Sequence, residues 1–358
     1  MKIKTKDLQN LIPTIRSVVG NYELQPKSTM LGIKTTTDSL VFYAIGRDKL
    51  KIGLKVENPD QGIDLAVNAN QFLSLIDKTT TEDIEISLDS SSQNVIVKGN
   101  GVYNIAKMIC EIGDVTFDDI NTTNLTNSLG SITKDFIRTI IVNNTYATLK
   151  IKESESQGRM STGNYHINTD KTMTSDGDVI CKTVQNSGLN ADISLTPITI
   201  NTLKIVNSDL TVYNVGNDLY FTGTDVVIVS PKVLDASEFP FQALDDQLKD
   251  ELYDTTVFVE KAPILAAMER LSIFNIDNSP IEITLNNGSA IFKIKEQIEN
   301  VIISGDGKGF VFVADPLKFT SSIKAINVDS ITMKFNVNNK NLLRLDGTNL
   351  IEAISSRS

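Results

Sequence analysis

The sequence predicts an α+β protein of three similar tandem domains, each with two helices packed on antiparallel sheets. Three observations predict it. Stretches with apolar residues at helical spacing alternate with short runs of period-two alternation. The order strand, helix, strand, turn, strand recurs three times along the chain. The 358 residues are 41% hydrophobic and 22% charged, ordinary globular usage with enough chain for two or three domains.

The opening helix is read from Leu8, Leu11, Ile12, Ile15, Val18 and Val19, with polar Lys6, Gln9, Asn10, Thr14 and Ser17 on the other face. Pro13 sits inside that pattern and predicts a kink, a ragged start or a shortened helix. The runs Leu31–Thr35, Leu40–Ile45 and Lys51–Val56 alternate like antiparallel strands, with Thr37-Asp38-Ser39 as a turn.

Three windows carry the repeat. The first has strands at 63–67, 83–88 and 94–99 around a helical stretch at 71–76. The second has strands at 192–195, 209–213 and 218–223 around helical 200–206. The third has strands at 309–313, 329–335 and 342–347 around helical 317–323. Asp83, Asp209 and Asp329 align, so their numbers give separations of 126 and 120 residues, one domain length each. A further helix-plus-strand half precedes each window, near 6–19, 134–142 and 261–271. Acidic closers at 113–124 and 237–246, each holding a phenylalanine (Phe117, Phe239), set domains at 1–122, 123–244 and 245–358.

The usual catalytic vocabulary is nearly absent. A single histidine, His166, alternates with its neighbours like an ordinary strand residue, and no histidine-based metal cluster can form. Cys110 and Cys181 lie in apolar runs and read as small buried hydrophobes, two cysteines being too few for a disulfide framework. Gly305-Asp306-Gly307-Lys308-Gly309 lacks the spacing of a phosphate-binding loop and reads as a turn. The acidic run 245–251 fits no calcium loop and reads as a solvated linker. These readings point away from an enzyme and imply no metal and no cofactor. The start of the chain has no signal-peptide core and no stretch is apolar enough to span a membrane, so a cytoplasmic protein is expected. The net charge of −10 argues against a protein that coats nucleic acid.

Several local matches, in order, resemble one family. They are Met1-Lys2-Ile3 followed by a helix with Pro13 and then Met30-Leu31-Gly32; Thr174-Ser175-Asp176-Gly177-Asp178-Val179-Ile180; and Glu238-Phe239-Pro240. Together with three tandem units they resemble the bacterial DNA polymerase III β sliding clamp and its phage relatives over essentially the whole chain. The resemblance implies a homodimer closed head to tail into a six-domain ring around double-stranded DNA. Such a ring tethers a DNA polymerase by topology, is opened by a clamp loader and performs no catalysis.

The resemblance also implies site residues. Helices at 5–19, 68–78, 132–144, 196–207, 260–272 and 315–327 would line the channel, and they hold ten basic against six acidic residues. The basic ones are Lys6, Arg16, Lys78, Lys134, Arg138, Lys204, Lys261, Arg270, Lys318 and Lys324, with Gln25 and Lys27 in a further DNA-contacting loop. A weakly positive lumen suits sliding, because each neutralised phosphate adds affinity and salt dependence. A pocket for partner peptides would use Ser175, Gly177, Val179, Ile180, Pro240, Leu244, Ile354, Ser356 and Arg357. Here the chain departs from the family. It ends Ile354-Ser355-Ser356-Arg357-Ser358 rather than in an apolar tail, and Asp178 stands where the bacterial proteins have histidine, so a more polar pocket is expected. Ring closure would bring Leu75, Tyr103 and Ile105 of one chain to Ile273 and Phe274 of the other. The residues alone leave one other reading open, a β-rich structural or adhesive repeat protein of a virion or cell surface.

Overall fold

The computed structural model describes residues 1–20, 26–57, 59, 62–89, 91–92, 94–108, 120–123, 125–148, 160–232, 239–338 and 342–356. Gln25, Cys110, Phe117, Glu238 and Arg357 lie outside the described residues, as does most of the 113–124 closer.

The first repeat runs β1 (Lys2–Lys4), α1 (Thr5–Val18), β2 (Met30–Thr35), β3 (Ser39–Ile45), β4 (Lys49–Lys55), β5 (Asp64–Asn68), α2 (Ala69–Asp77), β6 (Asp83–Leu88), β7 (Val95–Lys98), β8 (Val102–Ile105) and β9 (Lys107–Met108). The second runs β10 (Ser128–Ile132), α3 (Lys134–Asn144), β11 (Tyr165–Ile167), β12 (Lys171–Ser175), β13 (Val179–Val184), β14 (Ile193–Leu195), α4 (Pro197–Ile205), β15 (Leu210–Val215), β16 (Asp218–Thr222) and β17 (Val226–Pro231). A short helix, α5 (Phe241–Gln247), leads into the third. That repeat runs β18 (Thr255–Glu260), α6 (Lys261–Ser272), β19 (Ile281–Ile294), β20 (Gln297–Ala314), α7 (Pro316–Ala325), β21 (Ser330–Phe335), β22 (Leu342–Asp346) and β23 (Leu350–Ser355).

The repeat is visible in the pairing. In each, the strand before the first helix pairs antiparallel with the strand after the second: β1 with β6, β10 with β15, β18 with β21. The strand before the second helix pairs with one that follows the first: β5 with β2, β14 with β11, β20 with β19. The first amide of each opening helix is satisfied just ahead of the second-half strand. Thr5 N–H donates to Glu82 O at 3.0 Å, Lys134 N–H to Asp209 Oδ1 at 3.1 Å and Lys261 N–H to Asp329 O at 2.7 Å.

The chain forms two compact units, Met1–Lys134 with Ile198–Lys232 and Asp135–Pro197 with Val233–Ser358. The first contains the four-stranded sheet β1-β6-β7-β8 and the nine-stranded sheet β10-β15-β16-β17-β4-β3-β2-β5-β9. The second contains the ten-stranded sheet β14-β11-β12-β13-β23-β22-β21-β18-β20-β19. Each unit therefore joins one outer repeat to half of the middle one through a single strand pair, β4 to β17 or β13 to β23.

Three sequence expectations are corrected. Of the outcomes expected of Pro13, a shortened helix does not occur: α1 runs through it to Val18. Pro13 is exposed, while Leu8, Ile12, Ile15 and Val18 are buried, and that apolar stripe outweighs the lost backbone bond. The glycine run 305–309 is not a free turn but lies within β20 as a bulge, where the register against β19 slips near Asn287. A Cβ on Gly307 would stand 2.3 Å from the Leu285 carbonyl carbon, so only glycine fits. The acidic run 245–251 is not wholly a solvated linker: most of it is exposed, but Leu248 is buried, and the run contains the end of α5 and the start of a 3-10 turn at Asp250–Leu252.

The core of the second unit is aromatic and tightly layered. Phe292, Phe310, Phe312, Phe319 and Phe335 are all buried, and Phe310 stacks on Phe335 with ring centroids 4.3 Å apart. Phe310→Ala is expected to lower the unfolding free energy by roughly 3–5 kcal/mol. Urea titration followed by far-UV circular dichroism checks this, and a loss under about 1 kcal/mol would contradict the packing.

Candidate functional site

Three groups of residues carry the sequence-derived site. The first is the set of helix cations. The six long helices hold nine basic and four acidic residues, and Lys78 caps the C-terminus of α2. In the first unit Gln9 Nε2 donates to the carbonyls of Ile76, Asp77 and Thr79 at 3.0–3.3 Å, and Arg16 pairs with Asp77 at 3.2 Å, tying α1 to α2. In the second, Lys261 Nζ donates to the Lys324 and Ile326 carbonyls at the end of α7. Both devices satisfy helix-terminal carbonyls, and the lysine also opposes the negative end of the dipole.

The cations differ in how far they are already engaged. Arg270 forms a two-pronged pair with Glu299 at 2.7 and 2.8 Å. Lys318 is bound by Asp176 at 3.0 Å and Asp178 at 2.5 Å. Arg138 lies 3.8 Å from Asp135, and Lys134 Nζ donates to Asn207 Oδ1 at 2.6 Å. Lys6, Lys78, Lys204 and Lys324 are exposed, and neither they nor half-buried Lys27 make a side-chain bond among the described residues.

The second group sits on the ten-stranded sheet. Asp176-Gly177-Asp178 turns β12 into β13, with Asp176 Oδ1 accepting from Asp178 N–H at 3.0 Å and Val179 N–H at 2.8 Å. Gly177 occupies the left-handed region at φ 96°, which the turn requires. Ser355 N–H donates to Asp178 O at 2.7 Å, which fixes the tail against this turn.

Strand alternation divides the expected pocket residues. Val179 and Ile354 pair in register and point into the main core, 0% and 1% exposed. Ile180 points to the other face, with Met173, Ala353 and half-buried Phe241, Leu244, Leu342 and Ile351. Ser175 is buried, Gly177 and Pro240 are exposed, and Ser356 is half-buried. Met173, Phe241, Leu342, Ile351 and Ala353 were missed by sequence reasoning. Period two along β12 and β23 was the signal that could have found Met173, Ile351 and Ala353, whereas Phe241 on α5 and Leu342 on β22 reach this face only through tertiary packing.

A strap crosses that face. Phe239 is buried and stacks on His166 with centroids 3.5 Å apart, and Phe241 meets Phe239 edge-on at 4.8 Å. Asp245 on α5 accepts from Lys182 Nζ at 2.6 Å and also from Lys171 Nζ. Arg344, 5% exposed at its side chain, donates to the Leu248 carbonyl and pairs with Asp250 at 3.1 Å and Asp346 at 2.6 Å. Burial pushes the Asp245 carboxyl up, but the hydrogen bonds from Lys171 and Lys182 win and hold it below the usual carboxylate range.

His166 is a structural residue, as its alternation suggested. Nε2 lies 2.8 Å from the Ser161 carbonyl, so it must carry the proton, and Nδ1 then accepts from Ser194 Oγ at 2.8 Å. Burial pulls its pKa down to about 4, so the ring is neutral near pH 7. Cys181 is fully buried, and burial raises its thiol well above the usual value. No cluster of three metal-ligating side chains occurs among the described residues, and no described helix is long and apolar enough to cross a membrane.

The third group lies at strand and helix ends. β8 ends the four-stranded sheet, with Val102 and Tyr103 68% and 40% exposed, whereas Ile105 is buried and Leu75 half-buried. In the second unit Ile273, Phe274 and Ile276 follow α6 with 71%, 55% and 93% exposure. Val102 and Ile276 were not singled out from sequence, since exposure is a tertiary property.

Asp245→Asn is expected to cost roughly 1–3 kcal/mol and to release the strap, because two half-buried ammonium groups lose their shared partner. Since the Asp245 pKa is depressed on folding, its contribution is present above the usual carboxylate range and is lost as pH falls through the depressed value. Limited proteolysis within 241–247 checks both statements: the variant near pH 7 should be cut as the parent is in acid, and equal protection would contradict them.

No family model and no curated protein matches the sequence. Solved structures do match along its full length. A putative DNA polymerase III beta subunit from Eubacterium rectale superposes with a TM-score of 0.83 at 16% identity, covering 100% of this chain and 99% of that one. The DNA polymerase III beta subunit of Thermotoga maritima gives 0.82 at 14% identity, covering 100% and 98%. The DNA polymerase sliding clamp of Pseudomonas aeruginosa gives 0.83 at 13% identity, covering 100% and 99%. From its first strand to its last, the chain has the fold of the DNA polymerase III β sliding clamps.

Proposed function

We propose that this chain is a DNA sliding clamp, a non-enzymatic processivity factor of DNA replication. The observation that carries the reading is the full-length likeness to sliding clamps, with no long segment of either chain left over. In this reading the repeats are three clamp domains, 1–122, 123–244 and 245–358. Two chains close head to tail around duplex DNA, a clamp loader opens them, and a DNA polymerase is held by topology. The gain is one of effective concentration, because a tethered polymerase rebinds the primer end before it can diffuse away.

Charge supports the DNA surface. An acidic chain that keeps nine basic against four acidic residues on six helices is suited to weak, sequence-independent contact with phosphates. We assign the principal contacts to the unengaged Lys6, Lys27, Lys78, Lys204 and Lys324, with Arg16, Lys134, Arg138 and Lys261 adding field. Arg270 and Lys318 contribute less, since each is held by acidic partners. Lys6/Lys204/Lys324→Ala should shorten retention on nicked circular DNA and reduce the slope of log affinity against log salt by up to about 3. An unchanged salt slope would remove these residues from the DNA surface.

The open edge of β8 and the apolar cluster after α6 support ring closure between two copies. The Ile180 face beside α5 supports partner-peptide docking there. Small-angle X-ray scattering with mass on an absolute scale should give twice the chain mass and a hollow-disc distance distribution. An elongated particle or fibre would overturn the clamp reading. Ile273→Arg with Phe274→Arg should yield folded monomers, and an unchanged dimer mass would overturn the interface.

A further inference from the structure

The pairing of β4 with β17 joins the first repeat to the second, and a carboxylate is buried against that junction. Asp48 stands in the turn between β3 and β4 and is 1% exposed. Its Oδ1 accepts from Thr199 Oγ1 on α4 at 3.1 Å. Thr199 is itself 2.8 Å from Ser230 Oγ on β17, and both hydroxyl residues are buried. With the Thr199 proton directed at Asp48, Ser230 donates to Thr199, so a short relay links the β3–β4 turn to α4 and β17. Asp48 Oδ2 has no hydrogen-bond partner among the described residues.

Among the described residues, nothing beside the carboxylate balances its charge by direct pairing. The first turn of α4 and the whole of β17 carry no charged residue. On its own turn Arg47 is adjacent and acts on it through its field, and Lys49 follows at the start of β4. A buried carboxylate served only by neutral hydroxyl groups is costly when ionised and well tolerated when protonated.

We propose that Asp48 makes the joint between the first and second repeats proton-sensitive, tight when the carboxyl is neutral and compliant when it is ionised. Burial pushes its pKa up to about 6, against the neighbouring Thr199 and Ser230 hydroxyls and the charge of Arg47. The folded value exceeds the unfolded one, so ionisation opposes the joint above about pH 6, and the opposition is relieved as pH falls towards the ordinary carboxylate value. Near pH 7.5 the joint is therefore held below its full strength. The use of such compliance in ring opening rests on the clamp reading; the joint itself does not.

Hydrogen exchange on the full chain at pH 5.0 and 7.5, expressed as protection factors, tests the joint. In the parent, β4 and β17 peptides should lose about tenfold protection between the two values, while β6 and β7 peptides hold theirs. Asp48→Asn should keep the low-pH protection at both. Thr199→Val removes the hydroxyl that donates directly to Asp48 Oδ1 and should move the loss to higher pH. Equal protection of β4 and β17 at both values in the parent would overturn the proposal. So would an Asp48→Asn protein that is less protected than the parent at both, since a packing role alone predicts that. DNA retention is measured separately, so failure here leaves the clamp reading standing and the converse also holds.

Discussion

Backbone pairing across repeats is the constraint on which the rest of the structure depends. A strand edge with unpaired N–H and C=O groups must find a partner or face water. Each outer repeat here leaves such an edge at β4 or β23, and the middle repeat answers both, with β17 on one side and β13 on the other. The middle repeat is consequently split between two compact units, its β10–β15 pair in one and its β11–β14 pair in the other. Repeats defined along the sequence and units defined in space differ for this reason.

The same joints gather the polar groups of the interior. Beside β4 and β17 the relay of Ser230, Thr199 and Asp48 is buried. Beside β13 and β23, Asn144 Nδ2 donates to Thr174 Oγ1 at 3.2 Å, and Thr183 Oγ1 donates to Asn144 Oδ1 at 2.7 Å. Glu352 on β23 is fully buried next to Tyr146 and Cys181, and burial raises its carboxyl well above the usual carboxylate range. Buried hydrogen-bonded groups admit few alternative partners, so they favour one register where two apolar strands could otherwise slip.

Charge is distributed by the same logic of engagement. Lysines and arginines that reach a carboxylate or a helix-terminal carbonyl act as structural ties, as with Lys318, Arg270, Lys261 and Arg344. Those on exposed helix faces without such partners keep their positive charge for solution. An acidic chain can thus present locally positive helices, and a count of charges along a helix overstates what is available by the number already paired.

Much of this was legible in the residues themselves. Helical and period-two spacing located all six long helices and the threefold repeat, because burying an apolar face is a local consequence of its spacing, while the fuller helix ranges came from the family resemblance. Alternation pointed to His166 as an ordinary strand residue, and apolar neighbours pointed to Cys181 as a small buried hydrophobe, and both are buried on strands. Facing was not legible. Val179 and Ile180 are adjacent in sequence yet enter opposite faces, and their roles follow from the register with Ile354 and Ala353, some 175 residues away. The α5 strap was read as linker because its hold comes from Lys171, Lys182 and Arg344 on distant strands rather than from its own pattern. Asp48 was not singled out, because its burial comes from α4 and β17 rather than from its own neighbours. The sequence by itself determined which segments form and how often they recur. Only the tertiary structure decided which groups meet, since strand register and burial depend on partners far along the chain.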